Sequence, residues 1–190
     1  MKMRLIFSVG LALMACLLQG GFPVIAAEAG DGARTAPDRS ASEAYREDLK
    51  IETRAIDRIY EQFRIFMHVN VTSFNRNVLI SGEVPDETTK AAIEKIVSGI
   101  EGVRYVNNEL VIFGNSSLAS RSNDSLISTN VKLRFAGDKN INAGDIKVVT
   151  ENGTVFLMGK VKRAEADAAA EIASTTSRVK RVVKLFEYAD

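Results

Sequence analysis

The residues Ile146-Lys147-Val148-Val149-Thr150-Glu151-Asn152-Gly153-Thr154-Val155-Phe156-Leu157-Met158-Gly159-Lys160-Val161 read as a complete β-hairpin. β-Branched and other apolar residues crowd both arms, and the Asn152-Gly153 pair between them readily takes the positive φ angles of a two-residue turn. The pattern occurs once before. Val69-Asn70-Val71-Thr72 through Val78-Leu79-Ile80-Ser81-Gly82-Glu83-Val84 matches it at a constant offset of 77 residues, with Asn75-Arg76-Asn77 at the turn. Each second arm, Val78–Val84 and Val155–Val161, holds a glycine (Gly82, Gly159) where a side chain would obstruct close packing or a bulge. A duplicated unit is the first expectation.

Outward from each hairpin the repetition continues. Asp86-Glu87 opens a helix whose Ala92, Ile93, Ile96, Val97 and Ile100 share a face, and Ala164–Ser174 opens an alanine-rich counterpart. Gly102-Val103-Arg104-Tyr105-Val106 answers Arg178-Val179-Lys180-Arg181-Val182 at an offset of 76, and strands are expected over Val103–Phe113 and Val179–Tyr188. Ahead of the hairpins, Leu49, Ile56, Ile59, Tyr60 and Phe63 mark one helix, and Leu126, Ile127, Val131, Leu133 and Phe135 mark another. The order is helix, strand, strand, helix, strand. A hairpin followed by a helical crossover makes a three-stranded mixed sheet, which the two helices can cover. The expected fold is α+β: tandem domains at 41–113 and 124–190, joined by a Ser/Asn-rich linker at 114–123.

The N-terminus has a different grammar. Lys2 and Arg4 precede an apolar run from Leu5 to Leu18, and no acidic residue occurs before Glu28. That run is shorter than the about 20 residues of a membrane span, so residues 1–27 read as a secretory signal peptide. Two endings stay open. Cleavage can follow Ile25-Ala26-Ala27, or Leu13-Met14-Ala15-Cys16 can act as a lipobox that leaves Cys16 as an acylated first residue. Residues 28–40, rich in Ala, Gly, Asp and Arg, read as a flexible leader.

Charge and composition exclude several chemistries. The 25 basic and 24 acidic residues nearly cancel, which argues against a nucleic-acid partner. One histidine and one cysteine supply neither an internal disulfide nor a zinc cage, so no metal and no cofactor are expected. His68 reads as structural. Asp86-Glu87 and Glu165-Asp167 read as first-turn residues that complement helix dipoles rather than as acid/base pairs. Arg178, Lys180, Arg181 and Lys184 read as a solvated strand face. No catalytic set assembles, and the chain is expected not to be an enzyme.

The two hairpins ending in Gly82 and Gly159, the helices that follow, and the closing Gly102-Val103-x-x-Val106 and Val179-x-x-Val182 segments resemble the BON-domain family of bacterial exported proteins. The resemblance implies a non-enzymatic protein of the periplasm, associated with the inner leaflet of the outer membrane. Such a protein is expected to bind anionic phospholipid and support envelope integrity, with outer-membrane assembly proteins as its candidate partners. It also implies an alternative: a soluble periplasmic osmotic-stress or chaperone-like member that binds no membrane. In the family the lipid-facing element is the first helix of the second domain, which falls on Asp124–Gly137, with Leu126 where the family presents a tryptophan.

That helix has its own physical reading. Ile127, Val131 and Phe135 recur every four residues as one stripe, while Leu126 and Leu133 lie about 100° or more away round the helix. This second strip runs beside Lys132, Arg134 and Lys139, and cations beside an apolar strip suit a lipid headgroup region. Either all five apolar residues are core or inter-domain contacts, or Leu126, Leu133, Lys132, Arg134 and Lys139 meet lipid.

Overall fold

The computed structural model describes residues 42–63, 68–112 and 118–189. The expected signal segment, Cys16 and the leader lie outside these residues. The first unit runs α1 (Glu43–Gln62), β1 (His68–Phe74), β2 (Asn77–Val84), α2 (Glu87–Ser98) and β3 (Tyr105–Ile112). The second repeats it as α3 (Leu118–Ala136), β4 (Ile146–Glu151), β5 (Thr154–Val161), α4 (Arg163–Ser174) and β6 (Arg181–Tyr188). Each sheet is mixed, as the sequence predicts: β2 pairs antiparallel with β1 and parallel with β3, and β5 pairs likewise with β4 and β6.

Local chemistry explains the elements. Both hairpin turns carry two residues at positive φ, Asn75 and Arg76 in the first and Asn152 and Gly153 in the second. Asp86 caps α2, its carboxylate accepting from the Thr89 N–H at 2.7 Å, and this bond holds the carboxyl below its ordinary range. Gly82 sits at φ +119°, and a Cβ there would run into the His68 carbonyl oxygen. A Cβ at Gly159 would meet the Asp145 carbonyl oxygen in the same way. The two glycines are therefore demanded by close backbone approach.

Three boundaries and one face differ from the sequence reading. α3 begins at Leu118, inside the stretch 114–123 expected as linker. Its short polar residues are held by bonds back to the helix, Ser125 Oγ to Arg121 O and Thr129 Oγ1 to Ser125 O. β3 starts at Tyr105 and β6 at Arg181, because Val103 and Val179 donate their N–H groups to the turns that end α2 and α4. On α1 the buried stripe is Ile51, Ala55 and Ile59, while Leu49 and Tyr60 are exposed. The latter two stand about 160–180° from Ile51 round the helix, on its outer face.

Each sheet buries one face under its helices. Val78, Ile80, Val84, Ile93, Val97 and Leu110 centre the first core; Val155, Leu157, Val161, Ile127, Phe135 and Ala169 centre the second. The other faces meet each other, with Phe74 and Leu79 packed against Phe156 and Met158, and Val149, Val183 and Leu185 around them. β1 covers β4 in the opposite direction. Asn70, near the start of β1, reaches Glu151 at the end of β4 (3.2 Å), while Lys147 of β4 reaches the Ser73 carbonyl at 3.1 Å and Glu52 at 2.9 Å. Asn77 to Glu187 and Arg181 to Glu109, both 2.7 Å, join the sheets on the far side. The two domains thus stack as four layers: helices, sheet, sheet, helices. β2 is consequently buried on both faces from Val78 to Val84.

Candidate functional site

Near its start, α3 is tied to the hairpin of its domain by Asp124. The Asp124 carboxylate, buried near the start of the helix, accepts from the backbone N–H groups of Asn152 (2.7 Å) and Gly153 (2.8 Å). It thereby ties the helix to both N–H groups at the tip of the hairpin turn. Asp48 repeats the device on α1, accepting from Asn75 and Arg76 at 2.8 Å each and from the Ser73 hydroxyl at 2.7 Å. Sequence reasoning passed over both aspartates, although their common offset of 76 residues within the duplication was a signal.

With that anchor set, Ile127, Val131 and Phe135 point into the core and are at most 1% exposed. Leu126 and Leu133, seven residues apart and about 20° from each other round the helix, face outward at 56% and 65% exposure. The structure therefore removes them from the core and places them together on one outer strip. Lys132, on the helix, and Lys139, in the turn after it, are exposed. Arg134 is not part of this group. Its guanidinium crosses to α4 and donates to the Ile172 carbonyl (2.6 Å) and to the hydroxyls of Thr176 (2.7 Å) and Thr175 (3.1 Å). A cation there adds a charged donor at the Ile172 carbonyl and complements the negative dipole end of α4. Cys16 lies outside the described residues.

The other sequence candidates disperse. Arg178 donates to Asn123, Lys180 to Asn152 and Lys184 to Asp167, while Arg181 crosses to Glu109, so the basic run is divided among separate partners. Glu165 accepts from the Asn142 N–H, and Asp167 pairs with Lys184. His68 lies at the domain interface beside Asn70 and Glu151. An open cleft of about 500 Å³ mixes Glu43, Glu47 and Glu187 with Arg76, Arg104 and Lys160, which gives it no charge preference. Among the described residues no group of His, Cys, Asp or Glu is placed to hold a metal ion. No described helix is long and apolar enough to cross a membrane.

Comparison with known proteins agrees with the duplication. The BON domain profile matches residues 58–113 and 123–190. The chain is 36% identical over 175 residues to the outer membrane lipoprotein DolP of Haemophilus influenzae, covering 91% of each chain. It is 32% identical to a 21 kDa hemolysin of Actinobacillus pleuropneumoniae, covering 84% of this chain and 82% of the relative. Against the osmotically-inducible protein Y of Escherichia coli it is 27% identical, covering 60% of this chain and 58% of that one.

Proposed function

The chain belongs to the BON-domain family, and from that premise we propose that it is a non-enzymatic, two-domain periplasmic protein at the inner leaflet of the outer membrane, where it binds anionic phospholipid through α3 and supports envelope integrity. The observation that carries this reading is the outward strip of Leu126 and Leu133 beside Lys132, with Lys139 just beyond the helix. Two leucines exposed on the same side of a helix can enter the headgroup layer without unfolding anything. Each lysine near an anionic surface adds about 1 kcal/mol, which makes contact weak and reversible. The name of the Haemophilus relative supports the location, and the second ending of the N-terminal signal, at Cys16, would supply a lipid anchor.

Sedimentation with vesicles containing phosphatidylglycerol tests the proposal. The parent is expected to co-sediment, Leu126→Glu to lose most binding, and Lys132→Glu to lose several-fold, with both losses greater at low salt than the parent's own salt effect. Equal binding by all three proteins, or no binding by the parent, refutes lipid contact through α3. The commitment of Arg134 to α4 favours a second reading, a soluble periplasmic stress protein of the same family, because it leaves the strip only two cations. A mature N-terminus at Glu28, with all the protein in the soluble fraction, would select that reading.

A further inference from the structure

The duplication sets Gly102 and Arg178 at one point, the turn between the second helix of each domain and its last strand, at the offset of 76. Both backbones are left-handed there, with φ +93° at Gly102 and φ +70° at Arg178. Glycine takes that conformation freely, whereas a side chain crowds the neighbouring carbonyl oxygen. The turn itself asks for no arginine. Val103 donates to the Ile100 carbonyl at 3.2 Å and Val179 to the Thr176 carbonyl at 3.2 Å, so both turns close alike. The strained residue is accounted for by its side chain, since Arg178 Nη1 donates to Asn123 Oδ1 of α3 at 3.0 Å. Asn123 stands three residues ahead of Leu126, about 4.5 Å along the helix and about 60° round it. Lys180, Arg181 and Lys184 turn to Asn152, Glu109 and Asp167, and of the four cations only Arg178 reaches α3. Its side chain is exposed, and among the described residues no carboxylate pairs with it.

We propose that Arg178 is the phosphate-binding residue of the α3 lipid site, its guanidinium receiving the phosphodiester oxygens of a headgroup whose apolar part meets Leu126. The inference rests on lipid contact through α3 and adds to it a contact from outside the helix. A phosphodiester offers two non-bridging oxygens, which a planar guanidinium meets with two parallel bonds and an ammonium meets only as a point charge. The Asn123 bond uses one of the five N–H groups and leaves the others for the ligand. It also holds the long side chain in place beforehand, so less freedom is lost when the headgroup arrives. Lys132 and Lys139 are exposed and have no such hold among the described residues, which suits them to attracting the anionic surface as a whole. Arg134 is committed to α4, and Arg178 brings a guanidinium to the strip from the turn before β6. Free phosphate has the same oxygens but nothing for Leu126 to meet, so the site belongs to the lipid.

Gly102 supplies the test. Arg178→Gly gives the second domain the residue that the first carries in the same conformation, so its urea midpoint is expected to stay level or rise. In sedimentation with phosphatidylglycerol vesicles it is expected to bind about fivefold more weakly than the parent, which corresponds to about 1 kcal/mol for one cation at an anionic surface. Arg178→Lys keeps the charge without the fork and is expected to recover only part of that loss. Asn123→Ala keeps the guanidinium without its hold and is expected to bind about twofold more weakly. Lys50→Ala removes a cation from α1, on the opposite helix layer, and is expected to bind as the parent does. Inorganic phosphate added at constant ionic strength is expected to leave vesicle binding unchanged; displacement by it would assign the guanidinium to free phosphate and overturn the headgroup. Parental binding by Arg178→Gly or Arg178→Lys, with Leu126→Glu still defective, overturns the role of Arg178 and leaves lipid contact through α3 standing. A urea midpoint of Arg178→Gly well below the parent's makes the arginine a structural tie and overturns it too. No binding by the parent overturns both.

Discussion

Asp48 and Asp124 tie a helix to a turn that is otherwise short of acceptors. Replacing Asp124 with Ala removes the carboxylate that accepts from the N–H groups of Asn152 and the buried Gly153. Bonds to a charged acceptor contribute about 1.5–3 kcal/mol each, part of which water recovers, so Asp124→Ala should cost about 2–4 kcal/mol in urea unfolding. Asp124→Asn, which keeps one acceptor, should cost less. At Gly82 the constraint is steric: φ is +119° and the His68 carbonyl occupies the space of a Cβ. Gly82→Ala should therefore destabilise the first domain by about 3 kcal/mol or more, read as a lowered urea midpoint.

At the scale of elements, α3 separates two roles by angle. Its inner stripe holds the domain, its outer strip is free for contact, and Arg134 fastens the end of α4. Arg134→Ala should fray that end and cost about 1–2 kcal/mol in thermal unfolding, while vesicle binding stays within about twofold of the parent, since its guanidinium belongs to α4. A larger loss of binding would return Arg134 to the lipid-facing set. The sequence separated two stripes on α3, because Ile127, Val131 and Phe135 form a clean four-residue series, but it left open whether Leu126 and Leu133 were buried. On α1 its set mixed two faces, since Ile59 and Phe63 pack in the core while Leu49 and Tyr60 are exposed. Leu49, Ile56 and Tyr60 are as apolar as Ile51, Ala55 and Ile59, and periodicity alone cannot rank two such stripes.

For the whole molecule, the sheet-to-sheet contact is the defining feature. Phe156→Ala at its centre should cost about 3–5 kcal/mol, most of it as weaker docking, since Phe156 packs against the other domain. A thiol placed at the buried sheet-to-sheet contact by Ser81→Cys should be labelled faster by dithiodipyridine in the Phe156→Ala background, while far-UV circular dichroism keeps both sheets. Retained slow labelling would mean that the polar rim alone holds the domains together. The sequence by itself determined the duplication, the hairpins with their turns, the mixed three-stranded sheets and the amphipathic division of α3, because each follows from local periodicity and backbone preference. The unbroken apolar runs Val78–Ile80 and Val155–Met158 carry a signal of burial on both faces that the sequence reading did not use. Only the tertiary structure decided what covers the second face, which helix residues turn outward, and that His68 meets Glu151. Those pairings join residues about 80 positions apart through the docking of two preformed surfaces, an event for which no periodicity exists along the chain.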